Sequence, residues 1–214
     1  SYNPVPKTDA KSLEIAAELI NSAKKPYIIF GQGVILSKAE EQLKSLIEKA
    51  GIPAAWTILG LSALDTDHPL NVGMVGMHGN YGPNILTNEC DLLIAIGMRF
   101  DDRVTGNLDT YAKQAKIIHF EIDPAEINKN VKVDVAVLGD AKVSLERLLP
   151  LVKENKHEAW HNVFKEKYKI EFDTVIKAEL YPTEGQLTMP EVIEEINLAS
   201  NHSAVIVTDV GQHQ

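Results

Sequence analysis

Through the first two thirds of the chain, short runs of consecutive apolar residues alternate with stretches in which apolar residues recur every three to four positions. Pro26–Gly31, Pro53–Thr57, Leu92–Ile96, Lys116–Ile122 and Val133–Val137 have the length and composition of strands. Several have no polar face, as strands of a parallel sheet covered by helices must. Between them, Leu13, Ala16, Ala17 and Ile20 fall on one side of a helix, and Leu43, Leu46, Ile47 and Ala50 on one side of the next. Ser37 and Glu40 read as a capping box opening that second helix, and Gly51-Ile-Pro53 stops it. A helix carrying Leu145, Leu148, Leu149 and Val152 follows the fifth strand, with Pro150 bending it near its end. This alternation predicts an α/β fold, a doubly wound mostly parallel sheet with helices on both faces.

The pattern changes after residue 152. Residues 153–180 are highly charged, with sparse aromatics at Trp160, Phe164, Tyr168 and Phe172, and read as an amphipathic connecting helix on the surface. Tyr181–Gly185 is a turn, Thr188 and Glu191 form a second capping box, and Ala204–Thr208 reads as a new strand. The expected organisation is therefore a domain over 1–152, a helical linker over 153–186 and the start of another domain over 187–214. Because the sequence begins at Ser1 and stops in a loop directly after a strand-like run, it reads as part of a longer chain.

Composition narrows the class. Of the 214 residues, 44% are hydrophobic and 24% charged, enough to bury a real core. The 30 acidic against 21 basic side chains give a net charge of −9, which makes nucleic acid and anionic membrane surfaces poor partners. No apolar run approaches the roughly 20 residues that span a bilayer. The single cysteine, Cys90, excludes an internal disulfide framework and any multi-cysteine metal site. A cytoplasmic protein is expected.

In open α/β sheets ligands bind beyond the carboxyl ends of the strands, so the segments after each strand carry the chemistry. The first strand runs into Gly31-Gln32-Gly33, where small residues admit close approach of a ligand, although a tight structural turn explains them equally. After the second come Thr57 and Ile58, then an irregular Gly- and Met-rich segment, Met74-Val75-Gly76-Met77-His78-Gly79, whose adaptable apolar surface suits a flat aromatic ligand, the alternative being a buried loop in which His78 satisfies backbone groups. The third is followed by Gly97, Met98, Arg99, Phe100, Asp101, Asp102, Arg103 and Val104. Its two arginines can grip phosphate oxygens, or pair structurally with the aspartates. Glu121 and Ile122 end the fourth strand, where a carboxylate suits a ribose hydroxyl, and Gly139, Asp140 and Ala141 follow the fifth, placed to pack on a purine or to N-cap the next helix. Together these ends point to a nucleotide cofactor lying across the sheet edge.

One motif points elsewhere. His157-Glu158-Ala-Trp160-His161 satisfies H-E-x-x-H, which on a helix would set both histidines on one face with Glu158 as general base of a zinc hydrolase. The pattern fixes only three positions and sits in a charged surface-type helix, so packing is the better explanation and no metal site is expected.

Four segments carry a family likeness: Gly73–Gly79, Ala95–Gly106, His119–Pro124 and Val207–Gln214. In order along the whole chain, they resemble the catalytic large subunits of acetolactate (acetohydroxyacid) synthases. The resemblance implies the central domain of a thiamine diphosphate-dependent enzyme, followed by a linker and the first strand of the carboxyl-terminal domain. Such an enzyme decarboxylates pyruvate on thiamine diphosphate and Mg²⁺. It then joins the two-carbon unit to pyruvate or 2-oxobutyrate in branched-chain amino acid biosynthesis. The intact enzyme is expected to be a homodimer or tetramer with a regulatory subunit.

In this family the central domain binds FAD, which does no net redox chemistry. By motif, Gly31, Gln32 and Gly33 resemble the loop on the FAD phosphates and ribityl chain. Thr57, Ile58, Val75, Gly76, Met77, His78 and Gly79 resemble the flavin side, and Gly97, Met98, Arg99, Asp101, Arg103 and Val104 the central clamp. Glu121, Ile122, Gly139, Asp140 and Ala141 resemble the adenosine end. Met77, Asp102 and Arg103 would also face the substrate channel, and Val210, Gly211, Gln212 and His213 resemble the start of the thiamine diphosphate loop. The glutamate that activates thiamine and the segment that holds Mg²⁺ have no counterpart here, so no catalytic residue is assigned and this chain alone is expected to be inactive. The competing reading is a stand-alone nucleotide-binding flavoprotein module that uses its cofactor chemically, with His78 as its best acid–base candidate.

Overall fold

A computed structural model describes residues 5–182 and 184–207. The chain enters through α1 (Ala10–Ser22), whose first turn is capped by the Asp9 carboxylate accepting from the Ser12 amide at 2.9 Å. It then forms β1 (Pro26–Phe30), α2 (Gln32–Leu36), α3 (Glu40–Ala50), β2 (Ala54–Trp56), β3 (Asn71–Met74) and α4 (Tyr81–Leu86). The second half supplies β4 (Leu92–Ile96), α5 (Asp102–Thr105), β5 (Lys116–Glu121), β6 (Val135–Leu138) and α6 (Ala141–Leu148). All neighbouring strands are parallel, in the order β3-β2-β1-β4-β5-β6. The doubly wound α/β fold expected from the sequence is present.

The apolar strands are two-sided because successive residues serve different cores. Ile28, Phe30, Ile94, Ile96, Ile118 and Phe120 pack with the apolar stripes of α1, α3 and α6. Their neighbours Tyr27, Ile29, Leu93, Ala95 and Ile117 join Leu86 of α4 and the aromatic residues Tyr111, Trp160 and Phe164. Both predicted stripes, Leu13 to Ile20 and Leu43 to Ala50, are buried as expected, and Gly51 closes α3 in the left-handed conformation with φ 60°. The Asp91 carboxylate accepts from the Lys24 and Lys25 amides at 2.8 and 2.9 Å, joining the α1–β1 turn to the start of β4.

Several local expectations fail for identifiable reasons. Ser37 does not cap α3; its hydroxyl donates back to the Gly33 and Val34 carbonyls at the end of α2, and Ala39 occupies the cap position of α3. Gln32 and Gly33, expected in a loop, already lie in α2. Of the segment Met74–Gly79, expected to be irregular, Met74 instead ends a strand not expected from the sequence, β3. Its residues are half-buried at the sheet edge, where periodic hydrophobicity is weak. At the end of α6, Leu149–Leu151 tighten into a 3-10 turn containing Pro150.

The described fold divides into two compact units between Lys165 and Glu166. Helix α7 (Glu158–Glu171) begins in the first unit, where Trp160 and Phe164 are core residues rather than surface ones. Trp160 Nε1 donates to the Pro26 carbonyl at 2.9 Å, and the Phe164 ring lies 5.1 Å from both Trp160 and Tyr27. In the second unit the helix widens into a π-helical stretch, Phe172–Ile176, then continues as α8 (Lys177–Leu180). Helix α9 (Met189–Ala199) opens with the expected capping box between Thr188 and Glu191. Residues 204–207, expected as a strand, have no sheet partner among the described residues, and Thr208 lies outside them. Among the described residues no helix is long and apolar enough to cross a membrane.

Candidate functional site

Because all six strands run the same way, the segments that follow them share one edge of the sheet. The chain winds outward from β1 through β2 to β3, then returns to place β4 on the opposite side of β1. The loops after β1 and β4 therefore diverge to opposite faces, which makes their junction the switch point of the sheet. There the two loops touch through glycine. The Gly31 amide donates to the Ile96 carbonyl at 3.0 Å and the Gly33 amide to the Gly97 carbonyl at 2.8 Å. A Cβ on Gly31 would stand 2.6 Å from the Gly97 oxygen, and one on Gly33 2.6 Å from the Gly97 Cα. Backbone contact between two loops thus accounts for these glycines, while Gln32 beside them is exposed.

On the β2–β3 side, Thr57 is buried and its amide donates to the Phe30 carbonyl at 2.9 Å. Ile58 opens a 3-10 turn and stands half exposed. Val75 is buried and donates to the Trp56 carbonyl at 3.0 Å. The loop from Gly76 to Gly79 owes its shape to a residue that the sequence reading passed over: Asn84 of α4. Its Oδ1 accepts from the Gly76 amide and its Nδ2 donates to the Gly76 carbonyl, both at 2.9 Å. Asn80 Oδ1 accepts from the Met74 amide at 2.9 Å. The Met77 amide donates to the Arg103 carbonyl at 2.8 Å, joining this loop to α5, while the Met77 side chain is 63% exposed and His78 is exposed.

On the β4 side, Met98 is buried beneath the loop and Arg99 emerges from it. Arg99 reaches Asp101 at 3.8 Å and Arg103 reaches Asp102 at 3.6 Å, pairs so exposed that they hold the guanidinium groups loosely. Asp101 also caps α5, accepting from the Arg103 amide at 3.2 Å. Val104 is half-buried against the aromatic core.

Glu121, at the end of β5, is buried, and its Oε1 accepts from the amides of Ile122 and Asp123 at 2.9 and 3.1 Å. Burial raises its pKa above the ordinary carboxylate value, while the two amides pull it down. The Ile122 side chain is exposed. Beyond β6 the chain's own lead-in segment intervenes. The Thr8 hydroxyl bonds Ser144 at 2.8 Å, the Thr8 carbonyl accepts from Arg147 at 2.6 Å, and a Cβ on Gly139 would collide with the Thr8 side chain. Asp140 caps α6 by accepting from the Val143 amide at 3.1 Å, and Ala141 is buried. This strap was invisible in sequence because its partners lie over a hundred positions apart.

The H-E-x-x-H spacing does not produce the face it implies. His157 precedes the first residue of α7, with φ 45°, while Glu158 and His161 lie on the helix. Among the described residues no group of three or more His, Cys, Asp or Glu side chains is placed to hold a metal. Val210, Gly211, Gln212 and His213 lie outside the described residues.

The chain is 42% identical to the acetolactate synthase large subunit of Parasynechococcus marenigrum, over 100% of this chain and 34% of that one. It is likewise 42% identical to the acetolactate synthase large subunit of Corynebacterium glutamicum, again over 100% of this chain and 34% of the relative. A probable acetolactate synthase large subunit of Methanococcus aeolicus is 40% identical over 100% of this chain and 38% of its own length. The chain thus spans little more than a third of the relatives it matches. The family model for the central domain of thiamine pyrophosphate enzymes matches residues 13–148, from α1 to the end of α6. With its parallel sheet, its switch point between β1 and β4, and that match, this chain belongs to the central-domain family of thiamine pyrophosphate enzymes.

Proposed function

We propose that the carboxyl edge of this sheet binds FAD, as the central domain of an acetolactate synthase large subunit. The observation that carries the reading is the order of chemistry along the edge. Exposed apolar side chains, Ile58 and Met77, stand on the β2–β3 side. The cations Arg99 and Arg103 stand at the switch point, and the Glu121 carboxylate one strand further on. A flat ring at one end, two phosphates in the middle and a ribose at the other end match that sequence of surfaces. The close glycine packing of Gly31, Gly33 and Gly97 brings the loops after β1 and β4 into backbone contact at the middle of the edge. In this family FAD takes no net part in redox chemistry.

On this reading Ile58, Val75, Gly76, Met77 and His78 receive the flavin, and Arg99 and Arg103 neutralise the diphosphate. Glu121 and Ile122 receive the adenosine. The synthase reaction of the whole enzyme condenses pyruvate with pyruvate or 2-oxobutyrate. It uses thiamine diphosphate and Mg²⁺ held by regions for which this chain offers no described residues. Assembly as a homodimer or tetramer with a regulatory subunit, and a cytoplasmic location, belong to the same proposal. The 214-residue chain alone is expected to lack synthase activity.

The test is titration of the purified chain with FAD, followed by flavin absorbance and fluorescence quenching. Saturable binding is expected, weakened about tenfold by Arg99→Ala, the loss of one charge-assisted phosphate contact. A folded chain that leaves high-micromolar FAD unbound would overturn the reading.

A further inference from the structure

His119 sits in the middle of β5, opposite Ala95 of β4 and Ala136 of β6, with none of its side chain exposed. Its Nε2 lies 2.9 Å from the Met98 carbonyl and 3.7 Å from Glu121 Oε2, and its ring stands edge-on to Phe100 at 5.0 Å. Because a carbonyl only accepts, Nε2 carries the proton and Nδ1 is left with a lone pair. Among the described residues no hydrogen-bond partner meets Nδ1. Burial also lowers the His119 pKa, which keeps the ring neutral.

A buried polar atom without a partner is destabilising, so the orphaned Nδ1 offsets part of what the bond to Met98 contributes. Stability alone does not explain histidine here. Its hydrogen-bonded neighbour does: Met98 carries the carbonyl immediately before Arg99, while Glu121, two residues on in the same strand, lies beyond hydrogen-bond reach at 3.7 Å. We infer that His119 is a positioning residue, holding the Met98 carbonyl through its Nε2 so that the loop after β4, and with it Arg99, meets the nucleotide in a fixed orientation beside the end of β5. The inference rests on the reading of this edge as an adenine-nucleotide site.

The experiment measures dissociation constants for ADP and FAD, together with thermal midpoints, for the 214-residue chain and two variants. His119→Phe keeps the ring and removes the donor; His119→Gln places an amide donor near the Nε2 position. His119→Phe is expected to weaken ADP and FAD by about tenfold, the effect of one lost oriented contact, while its thermal midpoint changes little, because losing the Met98 bond is offset by removing the partnerless Nδ1. His119→Gln is expected to recover binding to within about threefold of the parent. A merely structural histidine would move midpoint and affinity down together.

Parent-like nucleotide binding by a folded His119→Phe chain overturns the inference, as does His119→Gln binding as weakly as His119→Phe. If His119→Phe does not fold, His119→Leu, which also lacks the donor, decides: about tenfold weaker ADP binding by the folded chain supports the inference and parent-like binding overturns it. Failure of the parent chain itself to bind either nucleotide strikes the underlying reading, and is recognised because it precedes any substitution.

Discussion

The Gly33 amide donates to the Gly97 carbonyl at 2.8 Å, and a Cβ on Gly97 would lie 2.7 Å from the Gly33 Cα. Gly97 also holds φ 56°, a conformation that side chains resist. Gly97→Ala therefore forces the β1 and β4 loops apart and is expected to cost about 2–4 kcal/mol, the sum of overpacking and backbone strain. A urea midpoint unchanged from the parent would show that the loops separate freely.

The lead-in strap gives a second expectation. Thr8→Val preserves shape but leaves the Ser144 hydroxyl, which is fully buried, without the partner it holds at 2.8 Å. The expected loss is about 1–3 kcal/mol, read from chemical denaturation. Equal stability would mean that Ser144 finds another hydrogen-bond partner.

Trp160 ties α7 to the start of β1 through its indole N–H and through Phe164. Trp160→Ala is expected to cost about 3–5 kcal/mol, as for other buried aromatics. It should also open the segment before α7 to limited proteolysis. Trp160→Phe, which loses only the bond to the Pro26 carbonyl and some area, should fall between the two chains. A parent-like cleavage pattern for Trp160→Ala would argue against this anchoring.

Two groups set opposite pH dependences. Burial lowers the pKa of His119 from the ordinary 6.5, and those of His157 and His161 likewise, so the unfolded chain takes up protons first as the pH falls. Their contribution to stability is present above pH 6.5 and declines below it. Glu121 has a raised pKa, so its contribution runs the other way: present in acid and lost as pH rises from 4.5 through the folded value. The histidine share of the profile, a fall in midpoint between pH 7 and pH 5, should be smaller in His119→Phe than in the parent. An identical slope in the two chains would remove His119 from the account.

Burial raises the Cys90 thiol to about 12, and its S–H faces the Thr87 carbonyl at 3.2 Å. The thiolate is the reactive form, so the native chain should resist a thiol reagent at pH 8 and react once unfolded. Rapid native labelling would reveal local opening of the α4–β4 region.

What the sequence revealed depended on the range of the causes. Strands β1, β4 and β5 were legible because consecutive apolar residues serve two cores, and their following loops could be read in turn once the sheet was parallel. Edge strand β3 was not, since Asn71, Val72, Gly73 and Met74 are all only partly buried. Ser37 and Glu40 had the right spacing for a cap, but the Ser37 hydroxyl found the carbonyls of the preceding turn instead. The glycines after β1 looked like a ligand loop; their contact with Gly97 exists only after the sheet has brought β4 beside β1. Asn84, Thr8 and Arg147 shape the edge through partners that local patterns do not connect.

The strand order also bears on how the chain is made. During synthesis β1, β2 and β3 emerge before β4, and in the finished sheet β1 lies between β2 and β4. A nascent chain that has paired β1 with β2 carries a row of unanswered backbone groups along the other side of Pro26–Phe30, a strand with no charged residue to discourage strangers. That edge stays open until the ribosome delivers Leu92–Ile96. The interval is when this protein is most prone to pair with a sibling chain, and when a chaperone has most to shield.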